Sequence, residues 1–477
     1  VRLTKHLVTL AILAILATMD PRFLPHNTHL IDAKRFAETD PQLAHLASRP
    51  LRHQSSLLDE LPSGVPGIYS LSGGRQIGKS TLLKQWMAKL LHQGVKPEAI
   101  SYFSGELIDD HHSLVMHLEN QLETGADNGV QFIILDEVTY VRDWDKAIKF
   151  AADAGLLAHA AFMITGSDLA FLQDARMRFP GRRGQAQRVD FHLHPLSFRE
   201  FLQLDNKLGQ LDTYLEELSR MPENLIESVY EAFSRYLLHG GYLTAINDLA
   251  EAHTIRRSTF ATYSDWIRGD MLKRGKSETY LREVLGAIVK RYGTQVTWNA
   301  LSRDLSVDHP RTIADYVALL ERMDAVTVLP ALLEHKLVAA PKKARKVVFS
   351  DSFILHAVRA WLTPVDDPFS QHVQSALADP LWVSKLVEAS VACNLRRFHP
   401  TFYIKGQGEV DIAYVRDDQF CPIEIKWGNQ LRPKSIKQIA RYGNGEIWRR
   451  QRSVGEVAGI RALPLPVQLL RVGTEFM

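Results

Sequence analysis

The stretch that most constrains this 477-residue chain is Gly73-Gly74-Arg75-Gln76-Ile77-Gly78-Lys79-Ser80. It follows the apolar run Gly67-Ile68-Tyr69-Ser70-Leu71 and precedes an amphipathic stretch through Leu82, Leu83 and Trp86. A strand, a glycine-rich turn and a helix in that order make a cradle for phosphate. The glycines let the backbone wrap closely, and the N–H groups at the helix start face the anion. The spacing G-x-x-x-x-G-K-[ST] assigns Lys79 to the β- and γ-phosphates and the Ser80 hydroxyl to a magnesium ion. Gly73, Gly74, Arg75, Gln76, Ile77, Gly78 and Thr81 complete the loop and the first helical turn. The expected ligands are ATP and Mg2+.

Around this loop, from residue 51 to 196, short apolar runs alternate with longer amphipathic stretches, the pattern of parallel strands joined by helices. Strands are expected at Gly67 to Leu71, Ile100 to Phe103, Phe132 to Leu135, Ala161 to Ile164 and Val189 to Leu193. The third runs into Asp136-Glu137. A buried strand ending in two carboxylates needs a compensating charge, which a metal ion supplies. Asp136 therefore reads as the magnesium-site acid and Glu137 as the group that orients or deprotonates an attacking water. At the end of the fourth strand, Thr165 and Ser167 offer hydroxyls where a γ-phosphate would be sensed. Arg182 and Arg183 lie in the turn Pro180 to Gly184. Either is a candidate to reach the γ-phosphate of a neighbouring subunit, and a solvated or structural arginine fits the sequence equally well.

Hydrophobic residues make up 45% of the chain and charged residues 23%, which excludes a disordered or fibrous class. A net charge of +3 is too small to require a nucleic-acid partner. Two cysteines, Cys393 and Cys421, support neither a disulfide framework nor a four-thiolate zinc site, and a reducing cytoplasm is expected. The apolar run Leu7 to Met19 is shaped like a short signal peptide but is too short to span a bilayer comfortably. No membrane partner is expected, and Met19 is a candidate translation start. His111, His112 and His117 lack metal-ligand companions and read as surface histidines.

After Pro195 the pattern turns helical, with a stop at Gly240-Gly241. Three short helical patterns (Tyr280 to Tyr292, Trp298 to Leu305, Thr312 to Met323) and the strand Ala325 to Leu329 suggest a winged helix, with Arg303 and Arg311 available for phosphates, or a winged helix used purely for protein contacts. The tract Lys342-Lys343-Ala344-Arg345-Lys346 reads as a solvated loop. The expected partition is an N-terminal segment 1–50, a phosphate-loop core 51–196, a helical lid 197–275, a winged-helix-like domain 276–350 and an α+β domain 351–477. In the last, Gly408 to Tyr414 and Cys421 to Trp427 form a hairpin. Alternation puts Glu424 and Lys426 on one face, and pairing brings Asp411 beside them. Asp411 and Glu424, with Glu388 from the preceding helix, would bind a divalent metal, and Lys426 would position the attacking water.

The phosphate loop, Leu135-Asp136-Glu137, Thr165-Gly166-Ser167, the Gly181-Arg182 loop and the run Pro195 to Phe201 together resemble AAA+ ATPases. More narrowly, residues 50 to 445 resemble the prokaryotic archaeal-type ATPases that carry a winged helix and a C-terminal nuclease-like domain. The Asp411 and Glu424-x-Lys426 arrangement resembles the PD-(D/E)xK nuclease superfamily. These resemblances imply an α/β core with a five-stranded sheet followed by a helical lid, homo-oligomeric assembly into rings or clusters, and DNA as a partner. Two functions stay open: an ATPase controlling a nuclease-like module, and a nucleotide-dependent switch for a protein partner whose nuclease-like domain does not cut.

Overall fold

The computed structural model describes residues 19–124, 129–166, 177–184, 186–204, 208–215, 217, 220–303, 305–306, 309–428 and 436–473. The chain divides into two compact units, Val1–Leu193 and His194–Met477. The run Leu7 to Met19 lies outside the described residues, save its last.

The first unit is built on five parallel strands: β1 Gly67–Ser72, β2 Ile100–Ser104, β3 Gln131–Asp136, β4 Ala160–Gly166 and β5 Asp190–His192, in the order β2-β3-β4-β1-β5. All five expected strands are present. Successive side chains of a strand point to opposite faces, and the two faces are covered separately. Tyr69, Leu71, Ile100, Tyr102, Phe132, Ile134, Ala161 and Met163 pack under the helix Lys79–His92. Ile68, Phe103, Ile133, Leu135, Phe162 and Ile164 pack against His111–Thr124 and Trp144–Asp153. Burial on both sides explains why these strands read as continuous apolar runs.

Residues 19–61 belong to this unit as well. Phe23 and Leu30 join one face, and Phe36, Leu43, Leu57 and Leu58 join the other. Between them the chain crosses the free edge of β2. There the buried amide of Asn27 does what a neighbouring strand would do: its Oδ1 accepts from Tyr102 N and its Nδ2 donates to Tyr102 O, both at 2.8 Å. The same Nδ2 donates to Phe23 O, also at 2.8 Å. An open sheet edge is thereby closed by a side chain. His117, expected at the surface, is instead buried, with its ring against Phe23 and Phe103.

The second unit opens with helices Phe198–Leu204, Leu208–Asp212, Glu223–His239, Leu243–Ala252 and Arg257–Lys273. The expected stop is present: Gly240 has φ 58°, and a Cβ there would collide with the Asp351 carboxylate. Next come helices Glu278–Lys290, Trp298–Ser302 and Pro310–Arg322. They are joined to the antiparallel strands β6 Gln295–Val296, β7 Val326–Pro330 and β10 Arg345–Phe349, in the order β6-β10-β7. A short ladder, β8 Leu332–Leu333 with β9 Val338–Ala339, lies between β7 and β10 in sequence. Helix Pro380–Arg396 leads into six strands: β11 Thr401–Lys405, β12 Glu409–Arg416, β13 Gln419–Lys426, β14 Glu446–Arg449, β15 Gly455–Val457 and β16 Ile460–Pro464. Their order is β11-β12-β13-β14-β16-β15, with β13, β14 and β16 mutually parallel and the other pairs antiparallel. No helix among the described residues is long and apolar enough to cross a membrane.

Asn27→Ala removes three buried hydrogen bonds and strands both backbone groups of Tyr102. A loss of roughly 2 to 3 kcal/mol in unfolding free energy is expected, to be read from denaturant titration of the full chain.

Candidate nucleotide site

Because the five strands are parallel, their carboxyl ends meet at one edge, where open α/β sheets place their ligands. The loop after β1 requires left-handed backbone at Gln76 (φ 59°) and Gly78 (φ 103°), and Gly73 approaches Leu193 O so closely that a Cβ would lie 2.6 Å from it. These constraints explain the glycines of the motif. Lys79 opens the following helix and is buried, with Nζ donating to the carbonyls of Gly73 at 2.9 Å and Gly74 at 3.2 Å. The ammonium thus lies in the hollow of the loop, with Glu137 Oε1 at 3.6 Å. Arg75 reaches out of the loop to the Tyr140 hydroxyl at 2.9 Å. Ile77 and Thr81 belong to the loop and the first helical turn.

Asp136 and Thr165 are on the same sheet face as Tyr102 and the helix Lys79–His92, as strand alternation requires. The buried Asp136 carboxylate accepts three hydroxyls. Ser80 Oγ and Tyr102 OH donate to Oδ2 at 2.6 and 2.5 Å, and Thr165 Oγ1 donates to Oδ1 at 2.5 Å. Burial and the Asp136 charge push the Tyr102 phenol well above its ordinary pKa, so it stays a donor. Thr165 Oγ1 also accepts from Glu137 N at 2.7 Å. Glu137 itself is left-handed, φ 53° and ψ 48°, an uncommon conformation for a residue with a Cβ. Hydroxyl and carboxylate oxygens gathered beside a buried ammonium are the donor set that suits Mg2+ and a polyphosphate.

Two expected residues stand elsewhere. Arg183 is committed near the amino end of β1: it pairs with Asp190 at 2.6 Å and donates to Ile68 O, Ser70 Oγ and Val189 O. Arg182 forms a two-point ion pair with Asp153, its Nε at 2.6 Å and Nη2 at 3.1 Å. Neither lies at the phosphate loop of its own chain, because the turn that carries them precedes β5. Ser167 lies outside the described residues. Tyr102 was missed by sequence reasoning. Its signal, a hydroxyl-bearing residue near the carboxyl end of a strand beside the acidic one, becomes visible only once strand order is known.

In the second unit, Asp411 Oδ2 accepts from Ile425 N at 2.8 Å and lies 3.9 Å from Lys426 Nζ, which is 2.5 Å from Glu424 Oε1. Glu424 Oε2 is buried without a hydrogen-bond partner, and burial together with the Asp411 charge raises the Glu424 pKa. Three of the four expected residues are therefore brought together. Glu388 faces a different cation: Lys346 Nζ, which sits 2.7 Å from Glu388 Oε1, 2.7 Å from Glu409 Oε1 and 3.4 Å from Asp411 O. Lys346 is buried in β10, which corrects its reading as part of a solvated loop. Burial opposes its charge, and Glu388, Asp411 and Glu409 outweigh burial, so its pKa is raised. Among the described residues no three His, Cys, Asp or Glu side chains converge closely enough to hold a metal.

Sheet order and site together define a P-loop ATPase-type core. Residues 66–202 match the family described as AAA domain, and residues 230–364 match a domain of unknown function. A Haemophilus influenzae protein described only as uncharacterized is 24% identical over 267 residues, covering 53% of this chain and 59% of its own length. The chain thus spans less than two thirds of that relative. Among solved structures, a Walker-type ATPase of Pyrococcus abyssi is similar at 16% identity and TM-score 0.41, covering 63% of this chain and 93% of its own. The ORC1 protein of Aeropyrum pernix, solved in complex with DNA, is similar at 14% identity and TM-score 0.33, covering 64% and 88%.

Lys79→Ala removes the only ammonium in the loop hollow among the described residues. If this ammonium is the phosphate ligand the loop calls for, nucleotide binding should weaken by roughly 100-fold or more, measurable with a fluorescent ATP analogue.

Proposed function

We propose that this chain binds ATP with magnesium at the loop Gly73 to Ser80 and hydrolyses it, and that the nucleotide cycle controls its C-terminal half. The observation that carries the reading is the convergence of Lys79, Ser80, Asp136, Glu137 and Thr165 at one edge of a parallel sheet. With nucleotide bound, Lys79 exchanges the Gly73 and Gly74 carbonyls for β- and γ-phosphate oxygens. Ser80 and Asp136 hold the magnesium, which supplies charge neutralisation at the bridging phosphates. Glu137 orients the attacking water and takes its proton, and Thr165, tied to both Asp136 and Glu137, senses the γ-phosphate with Ser167 as a second hydroxyl. In a homo-oligomer the more exposed Arg182, released from Asp153, is the better candidate to reach a neighbour's γ-phosphate; Arg183 is fixed within its own sheet.

The test is Glu137→Gln. It should bind ATP as the wild type does while phosphate release falls by roughly 100-fold or more, the scale of a general base. Turnover at the wild-type rate would remove Glu137 from the mechanism.

For the C-terminal half, the helix and strand order over residues 278–349 supports a winged helix with Arg303 and Arg311 exposed, and the hairpin with Asp411, Glu424 and Lys426 supports a nuclease-like domain acting on DNA. Lys346 supports the second reading, a nucleotide-dependent protein-interaction switch whose acidic cluster is already neutralised. Labelled single-stranded, duplex and branched DNA, incubated with magnesium or manganese and ATP, separates the two. Cleavage lost in Asp411→Ala establishes the nuclease, and no cleavage by either protein while both hydrolyse ATP leaves the hairpin a binding or scaffolding surface. If Lys346 stands in for a metal, Lys346→Met leaves Glu388 and Glu409 without their cation, and manganese binding by calorimetry should rise at least tenfold above wild type.

A further inference from the structure

Nothing in a phosphate loop or an acidic strand calls for a tyrosine, yet Tyr102 donates to the same Asp136 oxygen as Ser80. Its ring is held from several sides. The Lys84 ammonium lies 4.0 Å from the ring centroid, and the His26 ring stacks on it at 5.4 Å with 23° between planes. Both backbone polar groups are bonded to Asn27. Lys84 is itself buried, paired with the equally buried Asp40 at 3.2 Å, and donates to His26 O. A buried ion pair is a costly way to fill space, and this one gains hydrogen bonds and a ring contact that together fix a single geometry. Residues 26–40 and the helix that begins at Lys79 thus close around one phenol.

A carboxylate turns easily about its last torsion, where the energy wells are broad. Here each oxygen has its own donor independent of Ser80: Thr165 on Oδ1 and Tyr102 on Oδ2. When the Ser80 oxygen turns to magnesium, these two keep the carboxylate plane fixed. We propose that Tyr102 is a positioning residue for ATP hydrolysis, holding Asp136 toward Ser80 and its magnesium, with His26, Asn27, Asp40 and Lys84 fixing the phenol. The inference rests on the reading of this site as a magnesium-ATP site.

The test is Tyr102→Phe in the full chain, which keeps the ring, its stacking and its cation contact and deletes one hydroxyl. ATP-analogue affinity in excess EDTA should match the wild type. The magnesium concentration that half-saturates the nucleotide complex, read by fluorescence without turnover, should rise about tenfold, and kcat should fall by a similar factor with KM for ATP little changed at saturating magnesium, the usual scale for a residue behind a metal ligand. Wild-type magnesium dependence and kcat in Tyr102→Phe would overturn the proposal. Loss of ATP binding even in EDTA would overturn it too, by showing that the hydroxyl only supports the fold. If instead the wild type shows no effect of magnesium on ATP binding or turnover, the underlying site reading fails, and the role of Tyr102 fails with it.

Discussion

A single buried carboxylate, that of Asp136, organises the first unit. An anion at the end of a buried strand is stable only if donors surround it, and here they arrive from three directions: Ser80 from the helix, Thr165 from β4 and Tyr102 from β2. Parallel strands bring the ends together, and alternation brings the three hydroxyls to one face. The same face carries the helix that starts with Lys79. Left-handed backbone at Glu137 turns the next carboxylate toward the Lys79 ammonium.

The parts legible in the sequence are those that depend on local spacing. The phosphate loop, the acids at the end of β3 and all five strands follow from runs of fewer than ten residues. Tyr102 was illegible because its role depends on β2 lying next to β3, a fact of topology. Asn27 and the Lys84–Asp40 pair were illegible because they join positions far apart in the chain. The surface reading of His117 failed for a related reason: residues 19–31 cover a helix that would otherwise be open. Arg182 and Arg183 were legible as a basic turn, but their partners Asp153 and Asp190 were not.

In the second unit the hairpin with Asp411, Glu424 and Lys426 was legible from alternation, whereas β14, β15 and β16 were not. Lys346 was misread because five residues rich in lysine and arginine look solvated. Within the strand its side chain faces inward, and Glu388 and Glu409 supply the charge that makes its burial tolerable. Gln295 of β6 also donates to Glu409, so two residues of the three-stranded sheet bind the same acid of the six-stranded one. These contacts make the acidic cluster part of the packing between the two sheets of this unit.

The most direct test of the nucleotide site is a crystal structure of the full chain with magnesium and a non-hydrolysable ATP analogue. Lys79 Nζ should have left the carbonyls of Gly73 and Gly74 for the β- and γ-phosphates, with Ser80 on the metal and Asp136 still held by Tyr102 and Thr165. Nucleotide bound elsewhere, with Lys79 still folded onto the loop, would contradict the assignment.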